Sequence, residues 1–410
     1  MTYADIILPL PLEGYFTYCV PDTLAPRLQP GCRVRVPLGK TKTYTGLVAA
    51  LHDQVPAGLK TGKEGVKSIV EMMDPGPVLL PQQLRLWQWI ADYYLSPIGD
   101  VYKAALPSGL KAEDDYRPKT ETYVVLADDF RSAQALRAAQ AMLQRAPAQQ
   151  KVLRAYLELA SVSEENPVPQ REITREELMN EAHCTTTVLR QFLDRRILRQ
   201  YEKEVGRIPL GGMPHPEHIK PLSEAQADAY NQILVQQMSK DITLLHGVTS
   251  SGKTEIYIHL IQRALDEGRQ VLYLLPEIAL TVQMMQRLRR VFGDRLGIYH
   301  SRYSDAERVE IWKRQLSDHP YDVILGARSA LFLPFQRLGL VIVDEEHEQS
   351  FKQMDPAPRY HARSAAIILA KLCGAKVLLG TATPSSESYW NAQTGKYGYV
   401  RLDKRYQDMA

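Results

Sequence analysis

The stretch LLHGVTSSGKTEIY, Leu244 to Tyr257, decides the fold of the C-terminal half of this chain. It joins an apolar run to an amphipathic helical pattern through a turn that contains two glycines and a lysine. Residues 247–254 match GxxxxGK[ST], and the match lies between a predicted strand and a predicted helix, as this phosphate-binding loop requires. A chance match in a chain of this length has a probability on the order of one per cent. The stretch therefore predicts a parallel α/β domain that binds a nucleoside triphosphate.

The residue types of this loop suit the chemistry of phosphate. Glycines allow backbone N–H groups to converge on phosphate oxygens, and the dipole of the following helix adds positive potential. Lys253 is predicted to reach the β- and γ-phosphates, and the hydroxyl of Thr254 to ligate Mg²⁺. The expected cofactors are thus ATP and Mg²⁺, with nucleotide contacts from Gly247, Val248, Thr249, Ser250, Ser251, Gly252, Lys253 and Thr254.

A second apolar run supplies the acidic residues that hydrolysis needs. The stretch LGLVIVDEEH, residues 338–347, places Asp344 and Glu345 at the end of a predicted buried strand, which is where ligands bind in open α/β sheets. Asp344 is predicted to hold the Mg²⁺, and Glu345 to orient or deprotonate the attacking water. An isolated acidic cluster is usually a solvated loop, but this one shares a domain with a phosphate loop. We therefore expect Lys253, Asp344 and Glu345 to be the catalytic residues.

Composition restricts the class of protein. The 410 residues, 45% of them hydrophobic, suffice for two to four domains. Because 50 basic and 47 acidic side chains leave a net charge of only +3, any polyanion-binding surface must be a local patch. No apolar run approaches the roughly 18 residues that cross a bilayer, and the start does not read as a signal peptide. The four cysteines form no CxxC pair. We expect a soluble cytoplasmic protein with reduced cysteines and no membrane partner.

The spacing of apolar residues changes along the chain and divides it into segments of different predicted structure. From residue 5 to about 73, short alternating apolar pieces separated by Pro and Gly predict a small β-barrel or sandwich. Helical spacing of apolar residues follows from Leu80 to Tyr94. Two capped helices and a β-prone tail within Ser132–Leu198 indicate a winged helix. From Ser223 onward, short apolar runs alternate with amphipathic stretches, which is typical of a doubly wound α/β domain.

Five motifs resemble, in order and spacing, the first motor lobe of superfamily 2 helicases: GVTSSGKT (247–254), LLPEIALT (274–281), GARSALFLPF (326–335), DEEH (344–347) and GTATPSSES (380–388). Three more stretches narrow the resemblance to the PriA family of bacterial primosomal replication-restart helicases: GCRVRVPLGK (31–40), ADYYLSPIGDV (91–101) and RYHAR (359–363). The resemblance covers essentially the whole chain. It implies a multidomain α/β protein with a small N-terminal β-barrel-like domain (1–108), a winged-helix domain (109–205), a linker (206–221) and a RecA-like parallel helicase lobe (222–410).

The resemblance also implies a function. It is that of an ATP-dependent 3′-to-5′ DNA helicase that recognises stalled or abandoned forks and initiates primosome assembly. The implied partners are forked and single-stranded DNA, primosome proteins and single-stranded DNA-binding protein, at the nucleoid. We expect this chain to lack the family's second lobe, zinc-binding region with its zinc ligands, and C-terminal domain, and we therefore expect binding of ATP and DNA without unwinding. The alternative is a fork-binding adaptor with a regulatory ATP site, while an unrelated translocase such as a restriction subunit is disfavoured by the first hundred residues.

Further site residues follow from the resemblance alone. Gln226 is implied to read the adenine edge, and His347, Thr381 and Thr383 to couple nucleotide state to DNA. DNA contacts are implied for two positions of the GARSALF segment, for aromatic and basic residues of the loop 350–363, and for positions of the N-terminal domain: Arg328, Ser329, Phe351, Lys352, Arg359, Tyr360, Arg363, Phe16, Tyr18, Gly39, Lys40 and Lys67.

Simpler interpretations remain open for these DNA contacts. Arg328 would equally suit an ordinary surface cation, the loop 350–363 a mobile surface loop, and the Phe16/Tyr18 pair the packed face of a strand. In addition, Thr17 stands where members of the family often carry an aspartate that receives the 3′ hydroxyl. We therefore expect weakened recognition of a free 3′ end, because a threonine accepts a hydrogen bond without charge assistance.

Overall fold

The computed structural model describes residues 2–54, 66–111, 119–208, 212–249 and 251–404. These residues form two compact units. The larger unit combines residues 1–116 with 208–410, and the inserted unit comprises residues 117–207.

The larger unit begins with a five-stranded antiparallel sheet in the order β2-β1-β4-β3-β5. Its strands are β1 (Thr2–Ile7), β2 (Phe16–Val20), β3 (Arg33–Leu38), β4 (Lys42–His52) and β5 (Glu71–Met72). The amide of Cys19 in β2 donates to the Lys67 carbonyl at 2.8 Å, and the amide of Ile69 donates back to the Cys19 carbonyl at 3.0 Å. These bonds join β2, at one edge of the sheet, to the segment just before β5, which lies at the other edge. The sheet therefore curls into the expected barrel-like shape.

Three helices connect this barrel to the second half of the same unit. They are α1 (Pro81–Tyr93), α2 (Ile98–Ala105) and α3 (Ser108–Lys111). The Gln83 amide of α1 donates to the Phe332 carbonyl at 2.5 Å, and the Trp312 indole donates to the Val78 carbonyl at 2.8 Å. Trp87 and Ile90 of α1 belong to the same hydrophobic cluster as Phe332 and Trp312, and this cluster also includes Ile7 and Leu47 of the barrel. The barrel and the C-terminal lobe therefore share this cluster, while most inward residues of the strands form a separate core.

The inserted unit is a winged helix, as predicted. A three-stranded antiparallel sheet in the order β7-β6-β8 packs with four helices. Its elements are β6 (Thr120–Leu126), α4 (Ala133–Met142), α5 (Pro147–Leu159), β7 (Ile173–Thr174), α6 (Arg175–Glu181), α7 (Thr186–Leu193) and β8 (Leu198–Glu204). Thr174 caps α6 in a reciprocal pair with Glu177, and Thr185 caps α7. Leu178, Leu189 and Phe192 of these helices are buried.

The C-terminal lobe is a seven-stranded, fully parallel sheet in the order β11-β12-β10-β13-β14-β9-β15. Its strands are β9 (Ile242–Gly247), β10 (Gln270–Leu274), β11 (Leu296–Tyr299), β12 (Val323–Gly326), β13 (Leu338–Asp344), β14 (Lys376–Thr381) and β15 (Gly398–Leu402). The intervening helices are α8 (Glu224–Ser239), α9 (Lys253–Asp266), α10 (Val282–Phe292), α11 (Asp305–Leu316), α12 (Ala362–Cys373) and α13 (Ser386–Gln393). The central strands are continuously apolar because they are buried on both faces, and the lobe is the RecA-like fold that the motifs imply.

The segment expected to be a linker is bound to this lobe where the structure describes it. The amide of His215 donates to the Val291 carbonyl and that of Asp294 to the Gly212 carbonyl, both at 2.8 Å. A Cβ on Gly293 would lie 2.4 Å from the Gly212 carbonyl oxygen, so the close approach requires a glycine. Residues 212–219 are therefore held against the end of α10. Among the described helices, none combines the length and apolarity needed to span a bilayer.

Candidate active site

The phosphate loop lies between the end of β9 at Gly247 and the start of α9 at Lys253. Gly252 adopts φ +79°, a left-handed conformation that residues with a side chain rarely take, so the turn into α9 depends on this glycine. The first N–H groups of α9 have no helical partners and are oriented toward the loop, which makes this end a binding site for anions. Ser250, one of the predicted nucleotide contacts, lies outside the described residues.

Lys253 is folded into this loop. Its Nζ donates to the Gly247 carbonyl at 3.0 Å, and the residue is only 8% exposed. Ser251 is also buried, and its Oγ has no hydrogen-bond partner among the described residues. A buried cation and an unpaired buried hydroxyl in one loop indicate a site for an anionic ligand, because buried polar groups are otherwise satisfied.

Gln226 caps α8 and contacts the backbone of the phosphate loop. It is buried, and its Oε1 accepts from the amide of Ser223 at 2.9 Å, which caps α8. Its Nε2 donates to the carbonyl of Gly252 at 3.2 Å. The side chain thus supports the backbone of the phosphate loop at Gly252. Its contact with adenine stays a prediction.

Asp344 is a buried carboxylate at the end of β13. Its Oδ1 accepts from the hydroxyl of Tyr257 at 2.9 Å, and its Oδ2 accepts from the hydroxyl of Tyr273 at 3.3 Å. Burial raises the pKa of Asp344 to about 6, although the Tyr257 hydrogen bond opposes the shift. A Cβ on Gly380 would lie 1.8 Å from the Tyr257 hydroxyl oxygen, so glycine at that position lets the hydroxyl reach the carboxylate. Sequence reasoning missed both tyrosines, since they look like ordinary core residues.

Glu345 faces the phosphate loop. It adopts φ +49°, a left-handed conformation unusual for a residue with a side chain, and so turns the chain sharply at the end of the strand. Its Oε1 lies 3.9 Å from Nζ of Lys253, and its Oε2 lies 3.7 Å from Nδ1 of His347. The structure therefore brings the predicted lysine and the predicted glutamate together, with Asp344 beside them.

His347 connects this acidic turn to β14 and the loop after it. Its Nδ1 lies 2.7 Å from Oγ1 of Thr381, and its Nε2 lies 3.3 Å from Oγ1 of Thr383. The amide of Thr383 also donates to Oγ1 of Thr381 at 3.0 Å. The three residues expected to couple nucleotide state thus form one hydrogen-bonded group that contacts Glu345.

Glu346 is the most tightly bound acid of the DEEH turn, and sequence reasoning missed it. It is fully buried and accepts from Nη1 of Arg363 at 2.5 Å, from the amide of Ser385 at 2.7 Å and from Oγ of Ser388 at 2.9 Å. One carboxylate therefore ties the acidic turn to the start of α12 and to the start of α13. No local pattern identifies it, because its partners lie 17 to 42 residues away in sequence.

Arg363 must consequently be removed from the predicted DNA contacts. Its guanidinium is paired with the buried Glu346 carboxylate, and its side chain is only 13% exposed. Nη1 also lies within hydrogen-bond distance of Oγ of Ser385, at 2.6 Å. An arginine held in this way is a structural cation of the lobe, not one available to a phosphate backbone.

The predicted stacking of bases on Phe351 and Tyr360 is also wrong. Both residues are 1% exposed and lie in the core shared by the barrel and the lobe. The ring of Tyr360 packs edge-on against Phe332, with centroids 5.2 Å apart. Lys352 and Arg359 do reach the surface of this loop, and Arg328 lies near its start, where Nη1 donates to the Ser350 carbonyl at 3.3 Å. Ser329, next to Arg328, is half-buried.

In the barrel, the structure gathers most of the predicted DNA-contact positions around the turn between β3 and β4. The ammonium group of Lys67 donates to the Gly39 carbonyl, next to the exposed Lys40. Tyr18 is buried, however, and its hydroxyl donates to the Pro37 carbonyl at 3.1 Å. Tyr18 therefore packs the barrel and positions the turn from inside, as the simpler interpretation allowed, whereas Phe16 is half-exposed.

Thr17 is already engaged in a hydrogen bond within the sheet. Its hydroxyl donates to Oδ1 of Asp5 at 2.7 Å, and strand alternation places it on the face opposite to its two aromatic neighbours. The same oxygen of Asp5 lies 3.2 Å from Nε2 of His52. The weakened recognition of a 3′ end that Thr17 implies stays a prediction.

The phosphate loop and the acidic turn line a cavity of about 650 Å³. Sequence reasoning missed its opposite wall, which is basic and comes from the segment before α8 and from α10: His218, Lys220, Arg287 and Arg290. Arg287 pairs with the buried Glu255 in the first turn of α9. Spacing of three residues between the two arginines places them on one face of α10, which is the only sequence pattern that points to this wall. Lys220 and the two arginines therefore give this wall a charge that suits a triphosphate.

Replacing Asp344 by asparagine is expected to stabilise the ligand-free protein at neutral pH. Its pKa rises from an ordinary value of 3.8 to about 6, so the stability that the protonated form contributes is complete below pH 3.8 and is lost as the pH rises through 6. At pH 7.5 the buried charge costs about 3 kcal/mol, which the neutral amide avoids. Urea unfolding in EDTA should show D344N more stable than the parent at pH 7.5, with the gap narrowing at pH 5. The exposed Asp228→Asn should show no such gap, and a less stable D344N at pH 7.5 would contradict the prediction.

Three family models match this chain. They are described as "3′DNA-binding domain (3′BD)" for residues 5–107, "Winged helix domain, PriA helicase, Bacteroidota" for residues 121–205, and "DEAD/DEAH box helicase" for residues 223–390. The matches follow the barrel, the inserted unit and the lobe in order.

Curated relatives match nearly the whole chain. The chain is 34% identical to "Replication restart protein PriA" of Haemophilus influenzae over 409 residues, which cover 99% of this chain and 52% of that protein. It is 31% identical to the protein of the same name from Bacillus subtilis over 459 aligned residues, which cover 99% of this chain and 56% of that protein. The protein of that name from Rickettsia felis is 45% identical over 188 residues, 46% of this chain and 28% of that protein. The chain thus spans about half the length of the relatives that it matches end to end.

Proposed function

Because this chain belongs to the PriA family and corresponds to the N-terminal half of its members, we propose that it is the ATP- and DNA-binding part of a replication-restart helicase. The whole protein is proposed to be an ATP-dependent 3′-to-5′ DNA helicase that recognises stalled or abandoned forks and initiates primosome assembly. Its partners would be forked and single-stranded DNA, primosome proteins and single-stranded DNA-binding protein, in the cytoplasm at the nucleoid.

The observation that carries this proposal is the approach of Lys253 and Glu345 to 3.9 Å across the mouth of the phosphate loop. A lysine there neutralises charge on the β- and γ-phosphates. A glutamate facing it is placed to orient the attacking water and accept its proton as the terminal phosphoryl group is transferred. The basic wall of the cavity, with Arg287 and Arg290, adds further positive potential.

The residues present fit a magnesium nucleotide. Ser251 carries a buried, unpaired hydroxyl, and Asp344 is a carboxylate whose burial is costly without a cation. Thr254 and Asp344 would hold Mg²⁺, which supplies charge neutralisation at the phosphates when bound. Among the described residues no cluster of His, Cys, Asp and Glu could hold a metal by itself. We infer that the nucleotide carries its Mg²⁺ into the site.

Glu345 is linked to the rest of the lobe by two routes. His347 joins it to Thr381 and Thr383 through contacts of 2.7 and 3.3 Å. The hydrogen bonds of Glu348 N to Glu345 O and of Lys352 N to Gln349 O continue from it toward the loop of Lys352 and Arg359. A change at that loop on DNA binding can therefore move the catalytic glutamate, which is the coupling that a motor requires.

The DNA-binding surface of the barrel is proposed at the turn of Gly39 and Lys40, with Lys67 and Phe16 beside it. Lysines there would contact phosphates, which position a strand without reading its sequence. The hydroxyl of Thr17 is already committed to Asp5. We therefore propose fork binding at this turn with reduced selectivity for a free 3′ end.

The proposal is tested on the purified 410-residue chain. A fluorescent ATP analogue with Mg²⁺ and labelled forked DNA should each bind, whereas ATP hydrolysis should stay slow and unwinding absent. Rapid DNA-stimulated hydrolysis with unwinding would contradict the expectation that this chain binds ATP and DNA but does not unwind. Fork binding without any affinity for nucleotide would contradict the ATP site. Unchanged replication restart by a full-length protein carrying Lys253→Ala would favour the adaptor function over the motor.

A further inference from the structure

We propose that an aromatic cluster at the C-terminal end of α1, formed by Trp89, Tyr93 and Tyr94, is the base-stacking contact for single-stranded DNA. This inference rests on the proposed DNA-binding function and names a contact for it. The cluster takes the role that the buried rings of Phe351 and Tyr360 cannot perform.

The cluster has the geometry of an open stack. The rings of Trp89 and Tyr93 are stacked, with centroids 4.8 Å apart and planes inclined by 19°. Tyr94 closes the cluster edge-on, at 4.9 Å from Tyr93 and 5.9 Å from Trp89. Tyr93 is 65% exposed, so one face of its ring rests on the indole while the other side is open to solvent. A nucleobase that lies on Tyr93 would extend the existing stack.

Cations flank the cluster on the side of the loop 352–361. Nζ of Lys352 lies 5.0 Å from the centroid of the Tyr94 ring, and its ammonium donates to the Arg359 carbonyl. The amide of His361 donates to the Tyr94 hydroxyl at 3.1 Å, which attaches the cluster to that loop. Burial, Arg363 and Lys352 together lower the pKa of His361 to about 4, as expected in a region of positive potential.

The acidic neighbours do not cancel this potential. The side chain of Asp92 leaves α1 in a different direction from that of Tyr93. Its Oδ1 accepts a hydrogen bond from the side-chain amide of Gln88 at 2.7 Å. Asp355 is exposed on the loop itself. An exposed aromatic cluster with Lys352 at its edge therefore suits a polymer with flat apolar bases and a negative backbone. Proteins bind single strands without sequence preference through this combination.

The cluster also lies on the route to the catalytic glutamate. Lys352, which packs over Tyr94, follows the hydrogen-bonded turns that begin at Glu345. A base seated on Tyr93 would bring its backbone phosphates toward Lys352 and so bias the position of this loop. The exposed cluster is thus connected to the turn that carries Glu345 through contacts within the larger unit.

The test compares Tyr93→Ala with the parent chain in binding a labelled oligomer of 20 thymidines and an abasic oligomer of the same length. Loss of one stacked base should weaken binding to the thymidine oligomer roughly 5- to 100-fold. Binding to the abasic oligomer should change less than twofold, because backbone contacts remain. Tyr93→Phe should restore affinity, and Trp390→Ala, an exposed aromatic residue on α13, serves as the matched control.

Lys352→Ala should act differently, by flattening the dependence of log affinity on log salt by about 0.7, as one phosphate contact on a single strand does. Equal affinity of Tyr93→Ala and the parent for the thymidine oligomer would overturn the proposal. An equal loss on both oligomers would also overturn it, since the ring would then touch the backbone. If the parent chain binds ATP and forks but no single strand, this inference fails while the proposed binding of ATP and forked DNA stands.

Discussion

Lys253→Ala is expected to abolish measurable binding of ATP·Mg²⁺ while the protein stays folded and binds forked DNA. The Nζ of Lys253 lies 3.0 Å from the Gly247 carbonyl oxygen and faces Glu345. Removal of one partner of a buried, hydrogen-bonded charge pair typically costs about 2 to 5 kcal/mol, which is roughly 30- to 5000-fold in affinity. Lys253 also lowers the pKa of Asp344, so its removal makes the neighbouring carboxylate harder to ionise.

Thermal unfolding with and without nucleotide gives a direct measurement. A ligand at about 100 times its Kd stabilises a folded protein by roughly 2.7 kcal/mol, and this gain should vanish in the variant. The exposed Lys371→Ala on α12 is a suitable control, since it removes a lysine from the same lobe away from the cavity. A Lys253→Ala protein that ATP·Mg²⁺ still protects as strongly as the parent would refute the assigned role.

Glu346→Ala is expected to destabilise the larger unit by about 3 to 5 kcal/mol, because it leaves the guanidinium of Arg363 without its buried partner. The amide of Ser385 and the hydroxyl of Ser388 lose their acceptor at the same time. All four tryptophans, Trp87, Trp89, Trp312 and Trp390, belong to the larger unit, so their fluorescence reports its unfolding separately from the inserted unit.

Two further variants distinguish the loss of the buried Glu346–Arg363 ion pair from the simple removal of a negative charge. Glu348→Ala removes a half-exposed acid from the same turn and should shift stability by less than about 0.5 kcal/mol. The double variant Glu346→Leu/Arg363→Leu should recover much of the loss, since an apolar pair of similar volume often replaces a buried ion pair without cost. An unchanged urea midpoint for Glu346→Ala would show that the observed contacts contribute nothing to the fold.

The nucleotide site was predictable because its requirements are local. A glycine at 252, a lysine at the first helical position and acids at the end of an apolar strand each follow from the chemistry of one turn. The parallel lobe and the winged helix were predictable for the same reason, through the spacing of apolar residues and the helix caps expected at Thr174 and near Thr186. The structure has these caps at Thr174 and Thr185.

The features that sequence analysis did not identify depend on contacts between segments that are distant in the chain. Aromatic residues interleaved with cations, as around Phe351 and Tyr360, occur both in surfaces that bind DNA and in loops anchored to a core, and sequence spacing does not separate the two. Both rings belong to a hydrophobic cluster that also contains Trp87 and Ile90 of α1, and Gln83 of α1 bonds to the Phe332 carbonyl from 249 residues away. The salt bridge of Glu346 and the basic wall of the cavity are hidden from sequence analysis by the same cause.

The pairing of β6 with β8 has a consequence for how such proteins can change during evolution. These two strands begin and end the winged helix, and they run side by side from Thr120 opposite Glu204 to Leu126 opposite Leu198. Entry and exit of the inserted unit are therefore neighbours, so a gene rearrangement could delete, exchange or enlarge this segment without rerouting the polypeptide on either side.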